Sequence, residues 1–447
     1  MRKQTDRRSI LSITSKIGRK ISALAVAACV LALASCSSGG AAQSTPGTGS
    51  SGGGVTTITF WNGFTGPDGD ALKARVQAFN DSQSKYRVDM LIEPWDTINE
   101  KLLPALAAHQ GPNIAAGGVE AVGQNATNGA FASIDDFYTS WTDQSAVFDR
   151  LVAATEWNGK HYAVPMTFSP VLTYYNKKLF TAAGLDPNNP PKTWQEFADA
   201  AVAMTKDSNG DGKPEQYGFI LPDHNAPAMW ESLMWGNGGG TISDDGKTAT
   251  IGSPQSIEAV TYWNNLLQQK KISPAGISGP DADSLFQAGK AGMLVEGPWM
   301  INGFKQAGID FGIANVPQGP AGAFAVANSS LLYVSNDTMK DPAQKEATYA
   351  FLTFWNSKDN QIAWSTTSGN PPTRNDITQD ELAANPDMAA FTKYQSTAKF
   401  FLPFTTKEAT INTEIYEASM QKITTGKGTP QDVMTAAMAP LQALLNG

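Results

Sequence analysis

Cysteine and histidine are nearly absent from this 447-residue chain, which has two Cys and three His. Two thiols cannot build a disulfide framework, and so few thiols and imidazoles cannot build a Cys/His zinc cluster. Charge is also sparse. Charged residues make up 17% against 41% hydrophobic, the balance of a globular protein and not of a disordered one. A basic excess is missing too. The net charge is −8, and residues 36–447 alone hold 26 basic and 40 acidic side chains. Such a body has no electrostatic footprint for nucleic acid or for an anionic membrane surface. No apolar run reaches the ~18 residues of a membrane-spanning helix. Catalytic motifs are missing as well. There is no G-x-S-x-G. Gly246-Lys247-Thr248 ends like a P-loop, but position 241 is Thr where Gly is required, and His109, His161 and His224 show no metal or triad spacing. Paired carboxylates for glycoside hydrolysis stay open, because their separation is spatial.

What is present begins with an export pattern. Residues 1–35 carry seven basic residues and one acid, and an apolar stretch runs from Ile21 to Ser35. It closes in Leu33-Ala34-Ser35-Cys36, which resembles a bacterial lipobox, with Cys36 as the lipid-modified first residue. Val26-Ala27-Ala28-Cys29 fits more loosely and would leave an apolar region of only about eight residues. SSGGAAQSTPGTGSSGGG after Cys36 is a flexible tether. Arg7-Arg8 leaves twin-arginine export open beside the general route. The expected division is a signal peptide at 1–35, a linker at 36–54 and a folded body from residue 55.

The length predicts two or three domains, and the body reads as α/β. Thr57–Trp61 is a short strand, Asn62–Gly69 a turn-rich loop, and a helix from Asp70 carries Leu72, Val76 and Phe79 on one face. Arg87–Ile92 alternates as a second strand. Ligands of such units bind at the carboxyl ends of strands, which points to Asn62–Asp68. Thr193-Trp194-Gln195-Glu196 is a capping box, and Asp341-Pro342 starts another helix. Further strands are expected at 163–166, 171–175, 291–295, 311–313 and 331–335. Trp263, Trp355 and Trp364 read as helix packing. Asp207, Asn209, Asp211 and Glu215 fall at positions 1, 3, 5 and 9 of an EF-hand-like loop with Gly212 at 6, but position 12 is Gly218. A tight hairpin loop accounts for this better, with structural calcium as the alternative. No other cofactor is indicated.

Three blocks carry a resemblance. Pro170–Phe180 with Ala183-Gly184-Leu185-Asp186-Pro187 and Pro190–Phe197 is one. Phe286–Met293 with Gly297-Pro298-Trp299 is another, and Ser368–Arg374 is the third. In family order they resemble the solute-binding proteins of carbohydrate ABC importers, among them maltose-, multiple-sugar- and glycerol-3-phosphate-binding proteins. The resemblance implies a two-lobed periplasmic-binding-protein-like fold that closes on a ligand in the cleft. It puts crossings near 178, 327 and 372, hence an N-terminal lobe of 55–178 and 328–372 and a C-terminal lobe of 179–327 and 373–447. It implies ligand contacts from Thr65, Gly66, Asp68, Glu120, Ser169, Trp230, Trp299, Asn328, Ser329 and Arg374. It further implies a monomeric, non-enzymatic binder, held at the membrane by its lipid anchor alone, that captures a carbohydrate and hands it to the permease subunits. Leu402–Thr410, where glycerol-3-phosphate binders tend to carry an Arg, has none, which favours a neutral sugar or oligosaccharide. A secreted glycosidase is the rival from another class.

Overall fold

The structure is a computed structural model that describes residues 54–447. The expected signal segment, Cys36 and the tether up to residue 53 fall outside the described residues. Among the described residues no helix is long and apolar enough to cross a membrane.

Two mixed sheets organise the body. Thr56–Asn62 buries Ile58, Phe60 and Asn62 on one face, as its alternation predicts. It pairs in parallel with Tyr86–Ile92 on one side and Ile114–Gly118 on the other. Ser330–Val334 runs antiparallel to Ile114–Gly118, and Ala163–Pro165 completes the five-stranded first sheet. The second sheet has four strands in the order Phe311–Ala314, Leu172–Asn176, Ala291–Glu296 and Tyr217–Ile220. Two helices begin where capping signals place them, whereas the first starts at Pro67, ahead of the expected Asp70, because a Pro suits the first helical position. Thr193 and Glu196 close a reciprocal capping box on Trp194–Met204. Asp341 caps Pro342–Trp355 by accepting from the Ala343 and Gln344 N–H groups. Trp263, Trp355 and Trp364 are fully buried.

A third, small sheet joins the lobes. Ser169–Pro170, Val326–Asn328 and Lys399–Phe400 pair as short strands between the two large sheets. The first crossing therefore falls at Met166–Val171, upstream of the expected position near 178, because Leu172–Asn176 already belongs to the second sheet. The third falls later than 372. Phe148 N–H donates to Thr373 O (3.1 Å) and Asn375 N–H to Ala146 O (2.8 Å), which keeps this stretch on the first lobe. The chain reaches the second lobe by Phe391, whose ring packs on Tyr174 at 6.0 Å. The Gln395 amide ties two crossings together, donating to Phe168 O (2.8 Å) and Pro372 O (3.1 Å).

Candidate functional site

A cavity of about 660 Å³ lies between the lobes, over the small joining sheet. The first strand opens into it through a loop fixed by Asn62. That buried amide accepts from Phe64 N–H (3.1 Å) and donates to Leu91 O (3.2 Å). The chain then turns through Thr65 N–H to Gly63 O (2.8 Å) and Gly69 N–H to Gly66 O (2.9 Å). Thr65 and Gly66 stay exposed at the mouth, and Asp68 is buried in the first helical turn. Burial pushes the Asp68 carboxyl up to about 6, against the opposing pull of backbone N–H groups and of Asn370. Phe64 meets Trp95 edge-on at 5.5 Å, giving the first lobe an aromatic wall.

Glu120 follows the strand Ile114–Gly118 and folds back over Gly118, where a β-carbon would run into its carboxylate. The Tyr333 hydroxyl donates to Gly118 O (2.7 Å) and fixes that strand end. The joining sheet forms the floor. Ser169 Oγ donates to Asn370 Oδ1 (2.9 Å), tying the first crossing to the segment before Arg374. Asn328 is exposed, and Ser329 is 2% exposed with no partner for its hydroxyl.

The second lobe supplies Trp299. The strand Ala291–Glu296 ends at Gly297, and Pro298–Met300 makes one tight turn. The indole lies over Gly297, where a β-carbon would occupy the ring's place. Glu296 is buried beneath the turn and accepts the Gly297 N–H (2.8 Å). Burial, then nearby Asp283, holds its carboxyl well above the usual range. Glu408 completes this side. Its carboxyl is pushed up to about 8, by burial first and then by Glu120 and Glu417. Glu120 is raised as well, by burial. Both side chains are half-buried, packed by protein yet open to the cavity.

Eight of the ten expected residues thus line one cavity: Thr65, Gly66, Asp68, Glu120, Ser169, Trp299, Asn328 and Ser329. Two do not. Trp230 is no ligand contact at this cavity: Met229–Gly236 is a helix with every residue buried, and the Trp230 indole donates to Pro222 O (3.0 Å). The stretch is buried on all sides, as a core helix is, and its one acid, Glu231, accepts from Thr241 N–H (2.8 Å) within the core. Arg374 is also buried. Its guanidinium grips Asp376 with two bonds (2.9 and 2.8 Å), Asp143 (3.0 Å) and Asn356 O (2.8 Å), so it pins the chain to the first lobe. Trp95, Asn370, Tyr333 and Glu408 line the cavity and were not foreseen. Asn370 lies inside a block that carried the resemblance. Glu408 lies within Leu402–Thr410, the stretch that carries no Arg.

In the Asp207–Glu215 loop the side-chain oxygens serve the loop's own backbone. The Asp207 oxygens accept from Gly210 and Gly212 N–H (2.8 Å each), Asn209 Oδ1 from Asp211 N–H (2.8 Å) and Asp211 Oδ1 from Lys213 N–H (2.8 Å). Among the described residues no three His, Cys, Asp or Glu side chains converge to hold a metal.

The cavity combines aromatic faces, hydroxyls, amides and three carboxyls drawn from both lobes, and among the described lining residues none is Lys, Arg or His. Such a lining can hold a polar, non-anionic small molecule and would be completed by lobe closure.

Residues 74–390 match the family described as bacterial extracellular solute-binding protein. A binding protein of Brucella abortus is 27% identical over 400 residues, which is 87% of this chain and 92% of the relative. The acarbose-binding GacH receptor of Streptomyces glaucescens superposes with a TM-score of 0.78, at 24% identity, over 88% of this chain and 99% of that one. The UgpB protein of Mycobacterium tuberculosis, solved with glycerophosphocholine, gives 0.77 at 23% identity over 88% and 99%. With the matched segment spanning well over half of its length, the chain belongs to the bacterial extracellular solute-binding protein family.

Proposed function

We propose that this protein captures a saccharide in the cleft between its lobes and delivers it to the permease subunits of an ABC importer, by binding and without chemical turnover. The observation that carries the reading is the lining. Trp299 and Trp95 supply flat apolar faces, hydroxyls, amides and carboxyls from both lobes surround them, and no basic side chain is among them. A sugar has apolar C–H faces and a rim of hydroxyls, so it uses both kinds of surface. The binding of acarbose by the Streptomyces receptor supports the reading. The Mycobacterium protein keeps a glycerophosphodiester in view, but a phosphate next to three carboxyls lacks the cationic seat that phosphate recognition uses. Lipidation of Cys36 would hold the monomer on the outer face of the membrane, with several acyl chains needed for stable retention. No cofactor enters the proposal.

Calorimetric titration with neutral mono- and oligosaccharides and with sn-glycerol 3-phosphate tests this. The expected outcome is saccharide binding with no cleavage products by chromatography. A solute at about 100 times its dissociation constant should also stabilise the fold by about 2.7 kcal/mol. Binding of sn-glycerol 3-phosphate alone, or repeated turnover of an oligosaccharide, would overturn the proposal. For the anchor, the wild type should sediment with membranes and Cys36→Ala should leave that fraction. A wild type wholly soluble with a free Cys36 thiol contradicts the anchor alone.

A further inference from the structure

We propose, building on the saccharide reading above, that the preferred solute is a saccharide carrying a basic amine, with its ammonium seated between Glu120 and Glu408. Glu120 comes from the end of a first-lobe strand. Glu408 comes from the start of the closing helical run, which packs on the second lobe through Tyr416. Both open into one cavity, and each lies within electrostatic reach of the other. Tyr333 and Glu417 face the pair from neighbouring elements, Glu156 borders Glu120 on its far side, and Asp68 is the cavity's third acid. None of these supplies a positive charge.

Two carboxylates sharing a site without a counter-ion cannot both ionise at low cost. A neutral sugar leaves that conflict in place, because its hydroxyls carry no charge. A primary ammonium removes it, since it brings one positive charge and three N–H donors, enough for both carboxylates and one further acceptor. An independent feature marks the same cavity as unfinished. Ser329 is 2% exposed, faces the cavity, and its hydroxyl has no partner. Buried hydroxyls are rarely left unpaired, and a polar group on the solute would satisfy this one.

The proposal also predicts proton movement. Glu408, with its carboxyl held up to about 8, is largely protonated at pH 7 in the empty cleft. An ammonium would ionise it, so binding should release a proton; a neutral sugar should release none.

The experiment uses matched pairs on the full body of the protein. Glucosamine, galactosamine and mannosamine are each compared with the parent hexose, and the β-1,4-linked glucosamine trimer with cellotriose. Titrations at pH 7 are run in two buffers of different ionisation enthalpy. The expected result is at least one amine bound about tenfold or more tighter than its hydroxyl twin, with a buffer-dependent enthalpy that reports proton release. In Glu408→Gln and Glu120→Gln, isosteric variants checked by urea unfolding, that ratio should fall toward one. Equal affinity within every pair overturns the amine and leaves the saccharide reading standing. Failure of every amine to bind overturns it as well. If sn-glycero-3-phosphocholine binds while no sugar does, both readings fall together.

Discussion

Asp68 is 5% exposed in the first turn of its helix, and burial lifts its carboxyl to about 6. The folded state therefore keeps this proton to a higher pH than the unfolded chain does. The sign follows: stability tied to protonated Asp68 is full below about pH 4 and is lost as pH rises toward 6. The full effect is about 3 kcal/mol at most, from about two pH units at 1.36 kcal/mol each. Urea unfolding of wild type and Asp68→Asn across pH 4–7 isolates it. The variant should gain on the wild type by up to that amount as pH rises. A difference that stays flat would mean the carboxyl is not held up by burial. At the same scale, three glycines have a role that the sequence did not reveal. Gly63 lies under the Trp95 ring, Gly118 under the Glu120 carboxylate and Gly297 under the Trp299 ring, and a β-carbon at each would meet that side chain. None has a positive φ, so glycine serves for space and not for conformation. In sequence they are indistinguishable from turn glycines, because the group that needs the space is known only from the fold.

Elements were more legible than contacts. Strands with strict alternation and helices with complete start signals emerged close to their expected limits, because period and capping are local. The contrast between Trp230 and Trp299 shows where local reasoning stops. The resemblance places both among the ligand contacts, and each follows a Pro closely in sequence, Pro227 and Pro298. Trp299 does occupy a tight turn at a strand end, whereas Trp230 lies within a helix buried on all sides. The flanking residues mark a boundary but do not say which side of it is buried. The two tryptophans should therefore respond in opposite ways. Trp299→Ala should weaken saccharide binding by roughly 2 kcal/mol or more while unliganded stability changes by about 1 kcal/mol or less. Trp230→Ala should cost about 3–5 kcal/mol of stability. Calorimetry and urea melts on the same purified variants decide it. A large stability loss with unchanged affinity for Trp299→Ala would remove that ring from the site.

For the whole molecule, the order of the blocks along the chain made two lobes legible, but not where the chain passes between them. The crossings depend on pairings between residues far apart in sequence, such as Ala327 with Pro170 and Val326 with Lys399. Glu408 is illegible as a site residue for the same reason, since nothing near it in sequence reports its approach to Glu120. Capture of a solute requires that the cleft close on a molecule touching both lobes. Only a ligand with more contacts in the closed state can shift that balance. Solution scattering of the unmodified protein, with and without a saturating saccharide identified by titration, tests this most directly. The predicted result is a smaller radius of gyration with the saccharide, and for Trp299→Ala the same change only at about 30-fold or more higher concentration; an unchanged radius for the saturated wild type would contradict it.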